Sequence, residues 1–224
     1  MRKLAFVLIL LTSSLGFAAQ KAPERLGDAA ELFSEIMATP DKGIPQDLLE
    51  KAQCIVLVPG LKKGGFILAG KYGKGFVLCR HSAGSGWGAP ASIRIEGGSI
   101  GFQIGASSTD VVLLVMNERG MKRLLTSKFT LGGDASVAAG PVGRTASAQT
   151  DALLTAEMLS YSRSRGVFAG ISLDGATLRQ DLDDNEELYG KKIENREILT
   201  GNTAPPAAAS KLIQGLNKYS ARKG

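Results

Sequence analysis

The spacing of apolar residues divides the chain into helical ends and a strand-rich middle. Apolar side chains recur with a helical period from Pro23 to Met37, and a second short helix is expected to begin at Pro45. Acidic residues occupy the polar face of the first helix, so we expect it to pack on the domain rather than to lie on anionic lipid. From Cys54 onwards the apolar runs are short and are bounded by glycine, proline or Asp-Gly, as in strands joined by tight turns.

The expected strands share a short alternating or continuous apolar pattern. They are Cys54–Val58, Gly65–Lys71, Gly75–Arg80, Ala91–Glu96, Ile100–Ala106, Asp110–Met116, Met158–Tyr161, Val167–Leu173 and Ala176–Leu182. We place turns between the first three at Pro59-Gly60, Lys62–Gly64 and Tyr72–Lys74. Further helices are expected at Glu118–Thr126, Asp183–Tyr189, Arg196–Leu199 and Ala207–Tyr219. The predicted fold class is α+β: a β-rich single domain of mostly antiparallel short strands, a sandwich or partly closed barrel, with helices at both ends.

The beginning of the chain has the pattern of a secretory signal. Arg2 and Lys3 precede the unbroken apolar run Leu4–Leu11, and Gly16-Phe17-Ala18 offers a cleavage site with small residues at both ends. The apolar run is too short to span a bilayer. We therefore expect a signal peptide (1–18), an N-terminal helix (19–40), the main domain (41–202) and a C-terminal helical tail (203–224), in a protein that is exported to the periplasm or secreted.

Composition and charge narrow the class of partner. The 28 glycines and 6% aromatic residues favour a β-rich fold with many turns over a helical bundle. The formal net charge is +6, and it falls to +4 when removal of the signal takes away Arg2 and Lys3. This mild excess of positive charge is not the signature of a nucleic-acid-binding protein, so no nucleic-acid partner is expected.

One long segment of small residues, Thr130–Ala148, cannot build a core from its own side chains. Its glycines and Pro141 allow a tightly bent backbone, and Arg144 follows the bend. The run TLGGDASVAAGPVGR in this segment, with YSRSRGVFAGISLDG downstream and KGGFILAGKYGKGFVLCR and GWGAPASI upstream, resembles the SYLF domain family from about Ile44 to Thr200. The resemblance implies a membrane-lipid-binding module with no known catalytic activity. Fungal members also bind actin filaments, a partner that an exported protein would not meet.

Basic residues provide the candidate binding site for anionic lipid. They lie on or near the turns of neighbouring predicted strands, or in the bend of the small-residue segment: Lys62, Lys63, Lys71, Lys74, Arg80 and Arg144. Guanidinium and main-chain N–H groups at that bend suit a phosphate. We therefore expect peripheral contact with anionic membrane lipid, of the phosphoinositide type in eukaryotic relatives. The alternative is an envelope protein-interaction or structural domain without lipid contact, in which the lysines solvate the surface and Arg144 bonds loop carbonyls.

Catalytic and metal-binding motifs fail on their spacing. Ser99 lies in a Gly-x-Ser-x-Gly pattern, but a strand follows where a helix is required, and the only histidine, His81, precedes the serine. Asp181 begins a run with the spacing of a calcium loop, yet Glu186 stands where the loop needs glycine. We interpret that run as a solvated acidic helix start. No enzyme activity, metal or cofactor is expected.

The two cysteines, Cys54 and Cys79, leave one question open. Both fall in predicted strands, and in an oxidising compartment they form either one disulfide or two buried free thiols. The register between the two strands decides which.

Overall fold

The computed structural model describes residues 20–38, 43–65, 68–81, 86–100, 105–143, 155–164, 167–171 and 173–220. Several sequence predictions fall wholly or partly outside these ranges. Among them are the signal peptide (1–18), Arg144 with the rest of the small-residue segment after residue 143, and residues 66–67, 101–104 and 172 of three predicted strands.

Helices occur at both ends of the described chain and once in its middle. They are α1 (Ala22–Met37), α2 (Gln46–Lys51), α3 (Glu118–Leu124), α4 (Leu182–Tyr189), α5 (Asn195–Thr200) and α6 (Ser210–Tyr219), with a short 3₁₀ turn at Ala207–Ala209. The strands are β1 (Cys54–Gly65), β2 (Leu68–Cys79), β3 (Ala91–Ile100), β4 (Gly105–Val115), β5 (Lys128–Thr130), β6 (Val137–Ala139), β7 (Met158–Ser164), β8 (Val167–Gly170) and β9 (Thr177–Gln180). The predicted helices are confirmed to within a few residues at each end.

All of these strands belong to one curled sheet. Its order is β5-β9-β3-β2-β1-β4-β7-β6, with β8 also paired to β7, and the described pairs are antiparallel except β6 with β7. β5 and β6 stand at opposite ends of this order, yet only residues 131–136 separate them in the chain. The sheet must therefore curl to bring its ends together, and it forms a half-barrel. The predicted α+β fold is confirmed, in its partly closed barrel form.

The first two strands differ from the prediction. The turns placed at Lys62–Gly64 and Tyr72–Lys74 are wrong, because both lie within the long antiparallel pair β1–β2. The predicted strand Gly65–Lys71 is instead divided between the end of β1 and the start of β2. Pro59-Gly60 is an irregularity inside β1, where the register shifts and Gly60 takes a positive φ of 64°. Neighbouring strands on both sides hydrogen-bond this glycine-rich and lysine-rich backbone, so pairing overrides its low strand propensity.

The central strands are buried on both faces. One face, here called the helical face, packs against α1, α2 and α6 through side chains such as Leu57, Phe76 and Leu114. The other face, here called the disulfide face, carries Cys54 and Cys79, which lie directly opposite each other on β1 and β2 and form a disulfide. The register therefore decides the open cysteine question in favour of the bond.

The terminal helices belong to the same core as the sheet. The apolar side of α1 is buried against the helical face and against α6, with Leu26 and Phe33 almost fully enclosed. Phe33 also meets Tyr219 of α6 edge to face. The N-terminal helix and the C-terminal tail are thus layers of one domain; the acidic outer side of α1 led us to expect this packing for the first helix, but not for the tail.

Candidate functional site

Three of the predicted basic residues, Lys62, Lys63 and Lys71, lie near the end of the β1–β2 hairpin. The register pairs Lys62 with Tyr72, Lys63 with Lys71, and Gly64 with Gly70. Because directly opposite residues point to the same side of a sheet, Lys63 and Lys71 lie on the disulfide face and Lys62 lies on the helical face. We call Lys62, Lys63 and Lys71 the hairpin lysines.

Lys63 and Lys71 form an opposed pair of like charges. Both side chains are half-buried, and neither forms an ion pair with a described carboxylate. Burial, and then the charge of Lys71, lower the pKa of Lys63. Like charges placed directly opposite each other on neighbouring strands are destabilising. An anion held between the two ammonium groups would remove this repulsion, so the pair is suited to binding one.

The backbone beside the hairpin lysines is uncovered. Gly64, Gly70 and Gly98 lie in one register across β1, β2 and β3, and a Cβ added at any of them would meet no atom within 4 Å. The opposed pair Lys62 and Tyr72 lies two residues further along β1 and β2, on the same face as these glycines. Tyr72 is 47% exposed. The described part of the hairpin end therefore leaves backbone exposed, so that a large partner can come close to it.

Lys74 has a different role from the hairpin lysines. Its Nζ lies 2.8 Å from Oδ1 of Asp184 and 3.0 Å from Oδ2 of Asp181, at the start of α4. Burial lowers the pKa of Lys74, but its contacts with Asp184 and Asp181 outweigh burial and raise it. Lys74 thus joins β2 to α4 and is occupied by internal ion pairs.

Arg80 is buried and serves the fold. The residue is only 7% exposed, and the central carbon of its guanidinium lies 4.5 Å from the centre of the Trp87 ring. It donates hydrogen bonds to the carbonyl oxygens of Ala52, Leu49 and Ser220. The prediction that Arg80 is a surface contact is therefore corrected, because a guanidinium enclosed by carbonyls cannot reach a head group. Arg144 lies outside the described residues.

Sequence reasoning missed two buried carboxylates at the start of α4. Asp181 is 1% exposed and caps the helix by accepting a hydrogen bond from the N–H of Asp184. Asp184 pairs with Arg25 of α1 at 2.5 Å. The interpretation of this helix start as solvated is therefore wrong for Asp181 and Asp184, which form an internal ion-pair centre. Among the described residues, no group of three or more histidine, cysteine, aspartate or glutamate side chains is placed to hold a metal.

Comparison with known proteins settles the family. Residues 96–219 match the Ysc84 family, whose description is "Las17-binding protein actin regulator". The chain belongs to this family. The resemblance to the SYLF domain, drawn from the motifs alone, is thereby confirmed.

No helix in the described ranges is both long and apolar enough to cross a membrane.

The relatives are longer proteins. SH3 domain-containing YSC84-like protein 1 of Rattus norvegicus is 34% identical over 210 residues, which are 93% of this chain and 61% of the relative. An SH3 domain-containing protein of Schizosaccharomyces pombe is 38% identical over 177 residues (78% and 41%). LAS seventeen-binding protein 3 of Saccharomyces cerevisiae is 35% identical over 181 residues (79% and 39%). The chain thus spans between 39% and 61% of the length of these relatives.

Proposed function

We propose that this chain is a binding module, not an enzyme, that associates with anionic phospholipid through the hairpin lysines. The observation that carries the proposal is the opposed pair Lys63 and Lys71, which no described carboxylate neutralises. A lipid phosphate between the two ammonium groups offsets their repulsion and gains two charge-assisted hydrogen bonds. Each basic residue near an anionic surface contributes about 1 kcal/mol, so the hairpin lysines give weak, reversible association.

The shape of the hairpin end supports the same proposal. Gly64 and Gly70 place no side chains between the backbone and an approaching membrane surface. Tyr72 beside them is half exposed, and tyrosine is a residue that suits the boundary between water and lipid. Lys62 shares this face with the glycines and Tyr72, so the face presents one cation and one aromatic ring to a bilayer surface, whereas Lys63 and Lys71 lie on the opposite face.

We further propose that the protein acts outside the cytoplasm, at a periplasmic or secreted location. The signal-like pattern of residues 1–18 supports export, and so does the disulfide between Cys54 and Cys79, because such bonds persist in oxidising compartments. N-terminal sequencing of exported material should begin at Ala19. Exported protein that retains Met1 would overturn this part of the proposal.

Vesicle co-sedimentation tests the lipid proposal. Wild-type protein should bind more strongly as the fraction of anionic lipid rises, and less strongly as the Debye length shrinks from about 10 Å at 0.1 M salt to about 3 Å at 1 M. The variant Lys63→Gln/Lys71→Gln should bind at least about tenfold more weakly, because it loses both opposed charges. Lys122→Gln/Lys211→Gln is the matched control, since it removes two exposed lysines from helices α3 and α6.

Two results would contradict the lipid proposal. One is wild-type protein that ignores anionic vesicles at low salt, and the other is an equal loss of binding in the matched control. The second candidate function then takes its place: a domain that binds an envelope protein. The observation favouring it is that the family description and the yeast relative's name both denote protein-binding proteins.

A further inference from the structure

Four basic side chains form a row across the sheet, away from the hairpin lysines. The register pairs Lys74 of β2 with Arg94 of β3, Arg94 with Arg179 of β9, and Arg179 with Lys128 of β5. Directly opposite residues share a face, so all four lie on the helical face. Three consecutive like-charge pairs would destabilise the sheet unless anions separated them.

Carboxylates separate the first two pairs. Oδ2 of Asp181 lies 3.0 Å from Nζ of Lys74 and 3.8 Å from Nη1 of Arg94. Glu96 lies 2.6 Å from Nε of Arg94 and 3.3 Å from Nη1 of Arg179 through its two oxygens. The row therefore alternates cation and anion from Lys74 as far as Arg179.

The alternation stops at the last pair. Lys128 forms no ion pair with any described carboxylate, and the one described ion-pair partner of Arg179 is Glu96, on its other side. Beside this pair runs an open groove of about 250 Å³, whose lining is Arg94, Ser127, Lys128, Arg179, Gln180, Leu182 and Asp183. Asp183 lies at the groove but pairs with neither cation, so positive charge dominates this end of the row.

We infer that Arg179 and Lys128 bind a phosphate- or sulfate-type oxyanion in this groove. A guanidinium has five N–H donors in a planar fork, so Arg179 retains donors for an oxyanion while Nη1 holds Glu96. Lys128 adds a mobile ammonium on an exposed side chain, and the exposed hydroxyl of Ser127 adds a further donor. The bound oxyanion lies between Arg179 and Lys128, so that cations and anions alternate along the whole row.

This site is independent of the proposed lipid contact. It uses β5 and β9, whereas the hairpin lysines lie on β1 and β2, and Lys63 and Lys71 point to the other face of the sheet. A variant at one site therefore leaves the charges of the other unchanged.

The test is a titration of ¹⁵N-labelled protein with inorganic phosphate, followed by amide chemical shifts. At constant low ionic strength we expect saturable shifts at Ser127, Lys128 and Arg179. Arg179→Gln and Lys128→Gln should each weaken phosphate binding by about tenfold, because each removes one charge-assisted contact. Lys211→Gln, which removes an exposed lysine on α6, should leave the affinity unchanged, and the spectra themselves report whether each variant is folded.

Vesicles of anionic phospholipid then identify the source of the phosphate. If Arg179→Gln also weakens vesicle binding, the groove takes a lipid phosphate; if it does not, the ligand is a free phosphate or soluble phosphate ester. Both results support the site, provided that inorganic phosphate binds there. The inference is overturned if phosphate gives no saturable shift at these residues, or if Lys211→Gln weakens binding as much as Arg179→Gln does. The variant Lys63→Gln/Lys71→Gln should bind inorganic phosphate with unchanged affinity. The oxyanion site and the proposed lipid contact can therefore fail independently of each other.

Discussion

Neighbouring basic residues of the same strand take opposite roles according to what surrounds them. Lys71 and Lys74 are three positions apart, and the first remains without a carboxylate partner in the described structure while the second is held by Asp181 and Asp184. Arg80, a few residues further on, is enclosed by carbonyl oxygens and an indole ring. Residue type alone predicts that each is charged, and only its surroundings decide whether that charge faces a ligand.

Gly140 is a residue-scale test of the small-residue segment. A Cβ built on Gly140 would overlap the ring of Tyr161, which is fully buried and stacked on Phe168. We expect Gly140→Ala to lower the free energy of unfolding by about 1–3 kcal/mol, because the ring has no room to move. Urea denaturation measures the change. Gly98→Ala is the control, since its Cβ would enter open space; an equal loss in both variants would refute the overlap.

The ion pair of Lys74 with Asp181 predicts how stability depends on pH. Burial raises the pKa of Asp181, but Lys74, the N–H of Asp184 and Arg94 outweigh burial and lower it below its ordinary 3.8. The carboxylate therefore stabilises the fold above that ordinary pKa, and the contribution is lost as the pH falls through the lowered value. We expect Lys74→Met to move acid unfolding to higher pH, as followed by circular dichroism. A midpoint unmoved relative to wild type, or moved equally by Lys211→Met, would disprove the linkage.

At the scale of elements, the amphipathic pattern of α1 does not by itself decide what the apolar side of the helix packs against. Its apolar side fits a membrane surface as well as a protein core, and only the acidic residues of its other side favoured the core. The structure buries that apolar side against α6 and the sheet. Arg25 then fixes the start of the helix to Asp184 of α4.

The packing of α1 predicts the effect of truncating its side chains. Leu26→Ala should lower the free energy of unfolding by about 2–5 kcal/mol, because Leu26 is fully buried and the cavity is enclosed by neighbouring layers. Glu24→Ala, on the exposed side of the same helix, should change it by less than about 0.5 kcal/mol. Thermal and urea denaturation give both values. If Leu26→Ala proved as mild as Glu24→Ala, α1 would not be part of the folded core in solution.

At the scale of the whole molecule, one short connection brings the two ends of the half-barrel sheet near each other. Residues 131–136 lead from β5, at one end of the strand order, to β6 at the other end. Gly132 and Gly133 lie in this connection, where the two ends of the sheet come near each other. Gly132 has a positive φ of 79°, and a Cβ there would strike the carboxylate of Asp174. Position 132 therefore requires glycine, because both its backbone conformation and its contact with Asp174 leave no room for a side chain.

The disulfide is the covalent link between the two central strands, and its removal tests its share of global stability. It joins positions 25 residues apart in sequence, and closing a loop of that length in the unfolded chain is worth about 3 kcal/mol. Cys54→Ala/Cys79→Ala should lower the free energy of unfolding by about that amount, measured against wild type with and without reductant. Mass spectrometry after alkylation in denaturant without reductant should find no modified thiol; two modified thiols would mean that the bond does not form.

The sequence alone determined the α+β class, the helical ends, the family and the presence of a basic cluster, because these follow from local spacing and from ordered motifs. It did not determine the length of the β1–β2 hairpin, since glycines and lysines that resemble turns become strand when β3 and β4 hydrogen-bond them on either side. Nor did it separate Lys63 from Lys74, or place Arg179 beside Lys128, because strand register and distant carboxylates set those neighbours. Charge is a property of each residue, but whether that charge is neutralised is decided by which strands pair and in what register.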